Sequence, residues 1–270
     1  MLTRTAALSA LLLVACGNAA PPAPAAPTPS SAPSSEPAPA PTASAEADAA
    51  APAPVASAKP APAEDTSGSP LERLMRAHFK ETAAVRTAVI NGKLAEAVAP
   101  ADALAKMDGL GTPQASWKPS LEALSAASRR IAQSPDIPGA AAAIADIGVA
   151  CGQCHKSAGG PKVKVDAPPA GDNSLAGRMQ RHAWATDRLW EALYVPNDAS
   201  WKAGVDALGA DPFPKEVLDK GGVHARSAAS RFKTLVASAG DKKKADDRAK
   251  VYAGLLETCS SCHMAARGGK

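Results

Sequence analysis

Slid against itself by 104 residues, the chain matches: LERLMRAHFKETAAV, beginning at Leu71, falls on LAGRMQRHAWATDRL, beginning at Leu175. Leu71 pairs with Leu175, Met75 with Met179, His78 with His182, Thr82 with Thr186, Val85 with Leu189 and Val89 with Leu193. These positions recur every three or four residues, which is the spacing of one face of an α-helix. SAASR occurs at Ser125–Arg129 and again, offset by 102, at Ser227–Arg231; CxxCH occurs at Cys151–His155 and again, offset by 108, at Cys259–His263. The landmarks keep their order, so the chain beyond residue 69 reads as a duplicated helical unit. Pro- and Gly-rich loops at Gly109, Ser134 and Asp211 fall between the landmarks and absorb the small changes in offset.

Each unit reads as four helices. The first would span about 70–91, 94–108, 117–133 and 139–157, and the second about 174–194, 199–209, 215–238 and 242–266, with Asn173 or Ser174 capping its opening helix. Short connections imply antiparallel neighbours, which predicts an all-α chain of two tandem four-helix bundles, 69–158 and 173–270, joined by a linker at 159–172. Composition agrees: 46% of residues are hydrophobic but only 3% are aromatic, and alanine supplies much of the apolar count. Alanine favours close helices and disfavours sheets, which prefer branched and aromatic side chains.

The N-terminal segment has another character. Residues 1–15 carry Arg4 and then an apolar run too short to span a bilayer, the pattern of an export signal. The run ends in LVAC at Leu13–Cys16, which resembles the lipobox of bacterial lipoproteins, and this resemblance implies a diacylated Cys16 and a membrane anchor. Gly17 stands where those sorting rules would place an Asp for inner-membrane retention, so the resemblance further implies the periplasmic side of the outer membrane. Residues 16–68 are Ala, Pro, Ser and Glu with few large apolar side chains, too little to offset ordering entropy. They form a disordered tether whose polyproline-like extension would reach on the order of 100 Å at most. The net charge of +4 comes from interspersed Lys, Arg, Asp and Glu, with no basic stripe, so nucleic acid is not an expected partner. The cluster DKKKADDRAK at Asp241–Lys250 reads as a solvated helix start.

In CxxCH the cysteines are three apart and the His is four from the first Cys, so on a helix all three project from one face. Two thioether bonds to haem vinyl groups and an imidazole proximal to the iron fit that geometry. Cys151, Cys154, Cys259 and Cys262 would attach two haem c groups, with His155 and His263 as proximal iron ligands. The helical pattern continues upstream through Ile144 and Ile147 in one unit and Tyr252 and Leu255 in the other. The competing readings are a disulfide within each CxxC and zinc on the thiolates, which would need a fourth ligand at each site. Haem also accounts for the shortage of aromatic residues, since the porphyrin is itself a large aromatic body.

A four-helix unit with CxxCH near the end of its last helix resembles the class II cytochromes c, the cytochrome c prime group, over about 71–156 and again over about 175–267. In that family the residue facing the distal side of the haem comes from the first helix, either a Met ligand or an apolar blocker that leaves the iron open. Here each first helix carries Met-x-x-His. His78 and His182 are the expected distal ligands because imidazole binds both iron oxidation states, with Met75 and Met179 as the alternatives. His224 has no counterpart in the first unit and reads as a surface residue. The functional expectation is a membrane-anchored dihaem electron carrier that works with redox partner proteins and is not an enzyme. The alternative is a trap or sensor for NO or CO with an open distal site.

Overall fold

The computed structural model describes residues 67–106, 113–210 and 213–267. The signal segment, Cys16 and most of the tether lie outside the described residues. Nine α-helices and one 3-10 turn occur among the described residues, with no strand. The helices of the first half are α1 (Pro70–Ile90), α2 (Leu94–Lys106), α3 (Lys118–Gln133) and α4 (Ile137–Ala158). Those of the second are α5 (Leu175–Tyr194), α6 (Asp198–Ala210), α7 (Lys215–Lys220), α8 (Gly222–Ala239) and α9 (Ala245–Ala266).

Local chemistry places the ends. Ser69 caps α1 in a capping box with Glu72, ahead of Pro70 at the first helical position. Ser174 caps α5 by accepting from the Gly177 N–H at 3.1 Å, and Asp136 caps α4 through the Gly139 N–H at 2.9 Å. Two expected spans differ. The helix expected over 215–238 is broken into α7 and α8 at Gly221–Gly222, where Gly222 adopts φ +61°, a left-handed conformation that interrupts a continuous helix. The 3-10 turn Ala115–Trp117 precedes α3, whose own helix begins at Lys118.

The expected helical face is buried over its later turns, whereas Leu71 and Leu175, at its start, are exposed. Val85 and Val89 of α1, Leu189 and Leu193 of α5, Ile144 and Ile147 of α4 and Tyr252 and Leu255 of α9 all belong to a single apolar core. That core runs through both halves. α4 and α9 pack along each other, α5 packs more extensively on α4 than on its own half's α9, and α1 also packs on α9. Phe79 meets the Tyr194 ring and Arg86 pairs with Asp187, so α1 and α5 lie antiparallel. The described residues from 67 onward accordingly form one compact unit in which the first helices are shared between the halves.

Small residues allow this sharing. A Cβ on Gly152 of α4 would come within 2.2 Å of the Leu193 carbonyl oxygen of α5, and one on Gly148 within 2.7 Å of the Trp190 ring. α4 is long and apolar enough to cross a bilayer by length and composition, yet half of its apolar window is buried in this core. The cluster at 241–250 is only partly solvated. Arg248 is buried, pairs with Asp198 at 2.5 Å and lies over the Trp201 ring, because its stem extends inward from the first turn of α9.

Candidate functional site

α4 and α9 each carry CxxCH in their last two turns. The four cysteines are free thiols, Cys262 buried and the others partly so. Burial, with a smaller contribution from the neighbouring cysteine, pushes the Cys151 and Cys259 thiols up to about 12. Burial also raises Cys154 and Cys262. Among the described residues no three His, Cys, Asp or Glu side chains converge as a metal cage.

The imidazoles are held across the halves. His155 Nδ1 lies 2.7 Å from the carbonyl oxygen of Tyr194, the last residue of α5. As the carbonyl can only accept, Nδ1 carries the proton and Nε2 keeps its lone pair. His263 lies close enough to the backbone of Ile90, the last residue of α1, for that backbone to favour its protonated form. Ile90 and Tyr194 are themselves 104 residues apart, so the relation is reciprocal: each motif leans on the end of the other half's first helix. α4 ends one turn beyond His155 at Gly159, whose φ of +71° calls for glycine, and the Gly160 N–H donates to the His155 carbonyl at 2.8 Å.

The first-helix candidates approach from their own half. Met75, His78, Met179 and His182 are all half-buried. The backbone carbonyls of His78 and His182 each accept from the hydroxyl of the Thr one turn on, Thr82 at 2.8 Å and Thr186 at 2.7 Å, which leaves the imidazoles uncommitted by these bonds. Burial lowers the pKa of His78. Burial likewise lowers His263, with Arg267 and His182 adding to the effect and the Ile90 backbone opposing it. His182 and His263 are thus within electrostatic reach of each other. On the other side, Phe79, next to His78, packs edge-on against Tyr194, whose carbonyl holds His155.

No protein-family model, curated protein or solved structure matches this chain. The site therefore has to be read from its own chemistry. Two free thiols and an imidazole share one helical face, and at His155 the ring proton is committed to a backbone carbonyl, leaving Nε2 as a donor atom. This set suits covalent haem, with a carbonyl orienting the ring from behind the metal.

The two halves are not equivalent at the first helix. His182 stacks on Phe232 with centroids 5.5 Å apart and an interplanar angle of 16°, and meets Phe213 edge-on at 5.2 Å. Among the described residues no such pair of rings surrounds His78, and its immediate neighbour Phe79 is 51% exposed. His224 is exposed, as expected.

Sequence reasoning missed a buried hub between the motifs. Arg86 donates through Nε to the Tyr252 hydroxyl at 2.7 Å, pairs with Asp187 at 2.8 Å, and lies over the Trp190 and Tyr252 rings. Burial opposes its charge, but Tyr252 and Asp187 outweigh that and raise its pKa. The signal lay in the repeat itself: Arg86 aligns with Trp190, a charge against an aromatic on an otherwise matched apolar face.

Proposed function

We propose that the chain is a dihaem c-type cytochrome, an electron-transfer protein rather than an enzyme, in which two tandem four-helix units fused along α4 and α9 each carry one haem c. Cys151 and Cys154 attach one haem and Cys259 and Cys262 the other, with His155 and His263 as proximal ligands. His78 and His182 complete the axial pairs, and Met75 and Met179 stand as the alternatives. The observation that carries this reading is the Tyr194 carbonyl held 2.7 Å behind His155 Nδ1, which leaves Nε2 of a CxxCH imidazole as the donor atom.

Bound haem supplies one-electron Fe(III)/Fe(II) chemistry. The chain's own work is different. Tyr194 fixes the His155 tautomer, Cys151, Cys154, Cys259 and Cys262 would hold the haem groups through thioethers, and the shared core excludes water from the inner faces of α4 and α9. Lipid on Cys16 and the tether of residues 16–68 would hold this unit at the periplasmic side of the outer membrane, free to meet redox partner proteins.

The test is mass spectrometry and EPR of the full chain produced with haem-attachment machinery. Two added haems, both low-spin, and no Met-to-iron charge-transfer band are the expected result. A chain without covalent haem would overturn the reading, and a high-spin haem that binds CO would favour a trap or sensor for NO or CO.

A further inference from the structure

We propose that Tyr194, Trp190 and Tyr252 form the electron path between the two CxxCH sites, an inference that rests on the haem reading above. The rings make a continuous row starting at one motif. His155 and Tyr194 have centroids 6.1 Å apart, Tyr194 and Trp190 5.9 Å, and Trp190 and Tyr252 5.8 Å. Tyr252 then lies two turns before Cys259 on the same face of α9 and is in electrostatic contact with it. The row thus begins at the imidazole of one motif and ends beside the first cysteine of the other. The sites are held apart by α1, which meets Tyr194 at Phe79 and His263 at Ile90, eleven residues or about 16 Å along the helix.

Core filling alone does not require these rings. At the equivalent positions the first half has Ile90 for Tyr194, Arg86 for Trp190 and Ile144 for Tyr252, on the same fold. The chain has only two tyrosines, and both are in this row. In a protein so poor in aromatic residues, three contiguous rings from one half only, placed where the halves meet, are a specific investment.

Arg86 defines how the row works. Its guanidinium carbon is 5.1 Å from the Trp190 centroid and 5.9 Å from that of Tyr252, and Nε holds the Tyr252 hydroxyl. A fixed cation over the ring faces disfavours positive charge on them. The rings therefore bridge the transfer without being oxidised. One electron leaves ferrous iron at one motif and arrives at ferric iron at the other. No proton moves, because the Tyr252 hydroxyl stays protonated, its pKa pushed up to about 12 by burial against the opposing effect of Arg86.

The test uses the full chain with both haems attached. One electron is injected by pulse radiolysis, and relaxation between the two haems is followed optically. Haem stoichiometry, midpoint potentials, spin state and melting temperature are measured on the same samples. Trp190→Leu is expected to slow the exchange at least tenfold and Trp190→Phe less than threefold, with the potentials and low-spin spectra retained. Tyr194→Leu, at the half-buried end of the row, gives the same reading should Trp190→Leu not fold. Two haems with unaltered exchange in Trp190→Leu or Tyr194→Leu would overturn the aromatic path and leave the cytochrome reading standing. A wild-type chain with no covalent haem would overturn both.

Discussion

His155, on the last helix of the first half, is hydrogen-bonded to Tyr194, the last residue of the second half's first helix, with Nδ1 and carbonyl oxygen 2.7 Å apart. The contact depends on Gly152, one turn earlier, where an added Cβ would stand 2.2 Å from the Leu193 carbonyl. Gly152→Ala should force α4 and α5 apart at a cost of about 1–3 kcal/mol. Thermal unfolding would measure the loss, and haem attachment at Cys151 and Cys154 should fall while that at Cys259 and Cys262 persists.

Attachment itself should divide cleanly. Cys151→Ala with Cys154→Ala is expected to leave one haem per chain, and so is Cys259→Ala with Cys262→Ala. Intact mass resolves the two populations. Two haems retained by either variant would mean that attachment is not through these thiols.

The distal assignment separates by spin state. His78→Ala and His182→Ala should each turn one haem high-spin, while Met75→Leu and Met179→Leu leave both low-spin. EPR of the oxidised protein reads this directly. Because Phe213 and Phe232 clamp His182 and, among the described residues, no such pair of rings flanks His78, the two haems should also titrate at distinct midpoint potentials.

The Arg86 hub makes a stability prediction. Arg86→Leu would leave the buried Tyr252 hydroxyl without its donor, at a cost of about 1–3 kcal/mol, whereas Asp187, 58% exposed, would simply resolvate. Denaturant unfolding should show the loss, and Asp187→Ala should also destabilise, because it strips the buried Arg86 guanidinium of its counter-ion.

Acid should weaken the fold through its histidines. In the haem-free chain, where these imidazoles are not iron ligands, burial holds His78 and His263 below the ordinary value of 6.5. As pH falls through 6.5 the unfolded chain binds protons that the native state does not, so stability declines with acidification and levels off below the native pKa values. Melting temperatures of the haem-free chain between pH 5 and 8 should trace this, and His78→Gln should reduce the slope in the acid arm.

Much of this was legible in the residues. The all-α character and the buried faces through Val85, Val89, Leu189 and Leu193 followed from the three- and four-residue spacing, which any helix must obey. The broken helix at Gly221–Gly222 was not, since periodicity on either side of the break remains intact and only the positive φ of Gly222 marks it. Arg248 was misread as part of a solvated cluster because its neighbours in sequence are exposed lysines, whereas its partners, Asp198 and Trp201, come from α6.

By itself, the sequence determined the duplicated helical unit, the cysteine and histidine spacing on one helical face, and the Met-x-x-His pairs, because each depends only on contacts between residues a few positions apart. Which half supports which motif depended on tertiary structure. The pairing of α5 with α4 and α1 with α9, the carbonyl behind His155, the Ile90 backbone beside His263, and the row from Tyr194 to Tyr252 join residues that are distant in sequence. Such contacts follow from close helix packing at Gly148 and Gly152, and no local pattern encodes them.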